Sequence, residues 1–225
     1  MRRILFLLLI GLTGTATLVG LGIWQLQRLA WKEAMLARID AEISADPVPL
    51  PADPRPETST FLPVTTAGEI LGDEILVLAS KKQVGAGYRV IAPFRVDART
   101  ILLDRGFLPV ADEDAPRSTG LVEVTGNLHW PDEIDGFTPE PDREAQLWFA
   151  RDVASLSEAL GTEPVLLIAA TQTDPAIAPL PVDSTGIPND HLNYAITWFS
   201  LAAIWVFMSL YFARRMTVQD PVRKG

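Results

Sequence analysis

Apolar positions are unevenly spread along the chain. Ile4 to Ile23 form a run of 20 residues without one ionisable side chain, which as a helix spans about 30 Å, the thickness of a bilayer's hydrocarbon core. A second uncharged run covers the 22 residues from Leu192 to Ala213, with Tyr194 and Trp198 near its start and Tyr211 near its end, where interfacial aromatic belts lie. The pattern predicts transmembrane helices over 4–23 and 191–213, the second opening on His191. A cleaved signal peptide is the rival for the first run. Its apolar region is usually about 7 to 15 residues and ends at a small-x-small site, whereas this run continues into Trp24-Gln25-Leu26-Gln27.

Between the two runs the periodicity changes twice. Leu29, Leu36, Ile39 and Ile43 recur at helical spacing with charges between them, which predicts an amphipathic helical stem over 24–43. Pro47, Pro49, Pro51, Pro54 and Pro56 end it and predict an extended connector over 44–60. From Phe61 onward, short apolar runs alternate with turns: Ile75 to Ala79, Tyr88 to Phe94, Thr100 to Leu103, Val122 to Leu128, Leu147 to Ala150 and Leu166 to Ala169. These read as strands, with a hairpin turn at Asp97-Ala98 and a short helix from an Asp152 N-cap to a Gly161 stop. The expected fold is a membrane protein in which two transmembrane α-helices flank an exported β-rich α+β domain over 61–190.

Charge sets the expected orientation. Arg2 and Arg3 before the first span compete with Arg28, Lys32 and Arg38 after it, but Arg214, Arg215, Arg223 and Lys224 follow the second span while residues 174–191 carry no Lys or Arg. By the positive-inside rule the short ends, residues 1–3 and 214–225, lie in the cytoplasm or mitochondrial matrix and the long middle faces outward. Residues 28–191 carry 13 Lys and Arg against 27 Asp and Glu, within a chain of 225 residues and formal net charge -9. That balance excludes nucleic acid as a partner bound through general positive charge.

Composition narrows the chemistry further. The chain has no cysteine, so disulfides, thiolate metal sites and cysteine nucleophiles are excluded. Neither G-x-S-x-G nor H-E-x-x-H occurs, and only His129 and His191 supply imidazole; no hydrolytic apparatus is visible, and an enzyme is not expected. Gly85-Ala86-Gly87 lacks the third glycine of a dinucleotide fingerprint and reads as a strand-entry turn. The acidic run from Asp132 to Gly136 fails as a calcium loop, since its twelfth position is Arg143. His129 reads as a packed or surface histidine. His191 stands at the outward mouth of the second span, and at helical spacing His191, Tyr194, Trp198, Ala202 and Trp205 share one face. An ordinary interfacial histidine with aromatic anchors is the competing reading.

Three segments taken in order, Trp24-Gln25-Leu26-Gln27-Arg28-Leu29-Ala30-Trp31-Lys32, Leu102-Leu103-Asp104-Arg105-Gly106-Phe107-Leu108-Pro109 and His191-Leu192-Asn193-Tyr194-Ala195-Ile196-Thr197-Trp198-Phe199, resemble the signatures of the surfeit locus (Surf, or Shy) family of cytochrome c oxidase assembly factors. Gly87 to Phe94 and Trp148 to Asp152 extend the resemblance over nearly the whole chain. It departs at Asp104, where family members commonly have Asn, and at Asp190, where they have Glu or Asn.

The resemblance implies a non-enzymatic helper in maturation of the haem-copper oxidase, acting at or before insertion of haem a. The implied partners are the large oxidase subunit, haem a synthase and membrane lipid. The location is the bacterial inner membrane with the domain in the periplasm, or the mitochondrial inner membrane. Copper delivery is disfavoured because cysteine is absent and the four methionines are scattered. On this reading His191 ligates the haem iron, Tyr194 and Trp198 wall the ring, Arg28 pairs a propionate, and lipid-facing surface takes the isoprenoid tail. A periplasmic sensor lacks an output domain on the inner side. A cofactor-free scaffold that holds an oxidase intermediate is the other reading.

Overall fold

A computed structural model of the chain describes residues 2–218, with side chains for 5–216. Arg223 and Lys224, on which part of the orientation argument rests, lie outside the described residues. The chain forms two compact units, one made of residues up to 38 with those from 185 onward, the other of residues 39–184.

The first unit is a pair of long helices. Helix α1 runs Arg2–Ile43, so the apolar run and the stem are one uninterrupted helix. Helix α4, His191–Val218, begins at the histidine and continues past Ala213 through Arg214 and Arg215. Both are long and apolar enough to cross a bilayer. Their side chains meet at small residues: Ala195 and Ala202 are buried, and a Cβ placed on Gly22 would lie 2.7 Å from the Phe199 ring. Small residues of this kind let helix backbones approach closely.

The second unit is β-rich. Strands β1 (Val48–Pro49), β2 (Pro63–Ile70), β3 (Ile75–Lys81), β4 (Gly85–Val96), β5 (Arg99–Pro109), β6 (Gly120–Leu128), β7 (Leu147–Trp148) and β8 (Leu166–Ala169) lie in the order β1-β2-β6-β8-β5-β4-β3-β7. A further pairing of Glu69 with Arg95 and Ile70 with Phe94 joins β2 to β4, so five of the strands close into a small barrel. Gly68 permits this closure, since a Cβ there would stand 2.7 Å from the Phe94 ring. Period-2 alternation divides the core. Val64, Phe94, Leu103 and Leu167 fill the barrel, while Leu102, Leu166, Ile168 and Trp148 pack on its outer face against Val153 and Leu156 of α3 (Val153–Leu160).

The hairpin, helix and strand expectations from Ile75 onward match this architecture. Asp97 turns the β4–β5 hairpin at φ +53°, a conformation Asp tolerates. Asp152 caps α3 by accepting from Ser155 N at 3.0 Å, and Gly161 stops it at φ +64°. The proline stretch, by contrast, is built into the domain. Val48–Pro49 pairs in parallel with Val64–Thr65, and Pro56–Ser59 forms the short helix α2.

Candidate functional site

The end of the helix pair at which α4 begins carries a specific polar contact. His191 Nδ1 lies 2.8 Å from Gln25 Oε1, and Gln25 is buried. An amide oxygen only accepts, so with Oε1 turned to the ring Nδ1 is the donor of this bond. The contact holds the imidazole in one orientation, as partners of ligating histidines do. Asp190 is exposed, and its carbonyl accepts from Tyr194 N at 3.1 Å in the first turn of α4. Close by, Asn189 Oδ1 is buried without a donor among the described residues.

The other sequence-predicted residues stand at the same end but are not packed on the ring. Tyr194, one turn beyond His191, is 56% exposed. Trp198 is half-buried, and Arg28, one turn beyond Gln25, is exposed, its guanidinium carbon 4.3 Å from the centre of the Trp31 ring. The helix contact runs through His191, Ala195, Ala202 and Trp205, with Tyr194 at its exposed edge. Sequence reasoning missed Gln25. Its signal was an uncharged polar residue just past the apolar run, and the exposed Gln27 two positions on gives the same signal.

In the β domain, three segments quoted for the family resemblance converge on one carboxylate. Asp104 is fully buried and accepts from Arg89 Nε at 2.6 Å, Arg151 Nη1 at 3.4 Å and Gly106 N at 3.1 Å. Arg89 also donates to Leu180 O at 2.7 Å, and Arg151 pairs with Glu133. A bulge makes this possible. Between the pairs Arg89–Phe107 and Ile91–Asp104 strand β5 carries an extra residue, and Asp104 and Arg105 are both buried in consequence. His129 lies beside this cluster, stacked on Phe61 at 5.1 Å between ring centres. Burial, then the positive charge of Arg151, push its pKa below the ordinary histidine value, so it is a packed neutral imidazole.

A haem site needs an imidazole with an available ring nitrogen, aromatic surface and a cation for carboxylates. His191 with its ring oriented by Gln25, the exposed Tyr194, Trp198 and the exposed Arg28 supply these chemical types, so the residues at this end fit such a group.

Comparison with known proteins agrees with the quoted motifs. The SURF1 family matches residues 12–203. Surfeit locus protein 1 of Rattus norvegicus is 30% identical over 212 residues, covering 84% of this chain and 69% of its own. The SURF1-like protein of Drosophila melanogaster is 31% identical over 230 residues, 90% of this chain and 75% of its own. Surfeit locus protein 1 of Homo sapiens is 29% identical over 212 residues, with 83% and 71% covered. With a family match across most of its length and relatives at this identity, the chain belongs to the SURF1 family.

Proposed function

We propose that this protein is a membrane-anchored, non-enzymatic assembly factor for cytochrome c oxidase that holds haem a as cargo at His191 before it enters the large oxidase subunit. Membership of the SURF1 family implies the assembly role. The observation that carries the haem reading is the 2.8 Å contact between His191 Nδ1 and Gln25 Oε1, which engages one ring nitrogen and leaves Nε2 as the one that would meet an iron. Arg28 supplies a cation for a propionate, and Tyr194 and Trp198 supply ring surface. Helices α1 and α4 span the bilayer with both ends on the inner side, in keeping with Arg214 and Arg215 at the end of the second helix. The domain then lies in the periplasm of a bacterium, and haem a synthase and the large subunit are the proteins that hand over and receive the cargo.

The test is a clean deletion in a cell with no second family member. Oxidase activity and haem a content should fall together while other respiratory complexes persist. Normal oxidase activity would overturn the assembly role.

A further inference from the structure

An elongated cavity of about 810 Å³ lies along the helix pair, between Leu7 to Leu18 of α1 and Leu201 to Phe212 of α4. On its α1 side, Gly11 and Gly14 make room for Ser209 and Trp205 of α4. A Cβ on Gly14 would overlap the Trp205 indole, and Trp205 Nε1 donates to Gly11 O at 3.1 Å. Thr13 and Thr17 also line the groove, but their hydroxyls are spent on the backbone, donating to Leu9 O at 2.8 Å and Thr13 O at 2.9 Å. The walls therefore offer mostly hydrocarbon surface, with the Ser209 hydroxyl also among the lining groups.

The groove and the outer-end residues occupy the same flank of the pair. Steps of seven residues are close to two helical turns, with a drift of only about 20°. Tyr194, Leu201 and Met208 follow one another by seven on α4, as do Trp198, Trp205 and Phe212. On α1, Ile10, Thr17 and Trp24 do the same, and Arg28 stands one turn beyond Trp24. Leu201, Met208, Trp205, Phe212, Ile10 and Thr17 all line the groove. At ~1.5 Å per residue, the groove begins about 15 Å along α4 from His191 and ends about 30 Å from it.

We propose that this groove holds the isoprenoid side chain of the haem whose iron His191 takes; the assignment rests on the haem reading above. The side chain is a branched hydrocarbon attached to a head group that carries carboxylates. The flank presents the same sequence of chemistry, with Arg28 and aromatic surface at the outer end and an apolar channel running inward.

The experiment compares haem o, which carries the isoprenoid chain, with haem b, which lacks it, by absorbance titration of the full-length protein in lipid nanodiscs. The wild-type protein should bind haem o at least tenfold more tightly than haem b. Thr17→Phe and, separately, Leu201→Phe fill the groove and should narrow that ratio to under threefold with haem b affinity unchanged. If haem b binds but haem o shows no preference, or if both groove variants keep the wild-type ratio, the groove holds phospholipid acyl chains only and the proposal is overturned while the haem reading stands. If neither haem binds the wild-type protein, both fail.

Discussion

Gln25 and His191, 166 positions apart in sequence, share a hydrogen bond of 2.8 Å that joins the first long helix to the second. Removing the acceptor tests what that bond does. Gln25→Leu removes this partner of Nδ1 and frees the ring to turn, so retained haem should fall about two- to tenfold, the equivalent of roughly 0.5 to 1.5 kcal/mol for one hydrogen bond. Gln25→Glu keeps an acceptor and should retain haem. Equal retention by Gln25→Leu and the wild type in a haem titration would contradict the orienting role.

Arg28→Ala should act differently, because it removes a cation without touching the imidazole. Haem should still bind with an unchanged ligand spectrum but be held more weakly, by about 1.5 to 3 kcal/mol for a charge-assisted bond to a propionate. The dissociation rate of bound haem measures this. A changed spectrum with an unchanged rate would argue against the propionate role.

In the β domain, Asp104→Ala leaves Arg89 and Arg151 facing a buried gap. The expected cost is about 3 to 5 kcal/mol, as for other buried pairs broken from one side. Asp104→Asn keeps an acceptor for Gly106 N and for one arginine and should cost less. Denaturant unfolding of the full-length protein in detergent, followed by fluorescence, ranks the two. An Ala variant as stable as Asn would show that the cluster is not structural.

His129 gives a pH dependence with a defined sign. Its folded-state pKa is depressed, chiefly by burial and then by Arg151, so the unfolded chain binds the proton more readily. The stability it contributes is present above the unfolded value of about 6.5 and is lost as pH falls through the lower folded value. His129→Phe, which preserves stacking on Phe61, should flatten the stability profile just below pH 6.5 and leave haem retention intact. An unchanged slope would mean the imidazole is not titrating.

These predictions also mark what was legible in the sequence. Runs such as Val122 to Leu128 and Leu166 to Ala169 announced their strands because their apolar residues are contiguous or alternate. Strand β2 did not, since Thr65, Thr66, Gly68 and Glu69 hide its period behind polar and small residues, and its place is set by pairing with β6 and β4. Val48–Pro49 carries no local strand signal because its prolines suppress one; only the distant partner Val64–Thr65 makes it a strand. At the site, His191 was visible as one of two histidines at the start of an apolar run. Its partner Gln25 was not, because a hydrogen bond between helices leaves no periodicity in either. The Asp104 cluster was hidden for a similar reason: Arg89, Asp104 and Arg151 come from three separate segments and meet through a bulge.

The most direct measurement is the absorbance spectrum of the full-length protein purified from cells that make haem a, set beside that of His191→Ala prepared in the same way. The account predicts a bound haem a spectrum in the wild type, lost or shifted in His191→Ala while the variant is still recovered from the membrane fraction in equal amount. An unchanged spectrum in His191→Ala would contradict ligation by this residue, and a wild-type protein without haem would leave the cofactor-free scaffold as the reading of this chain.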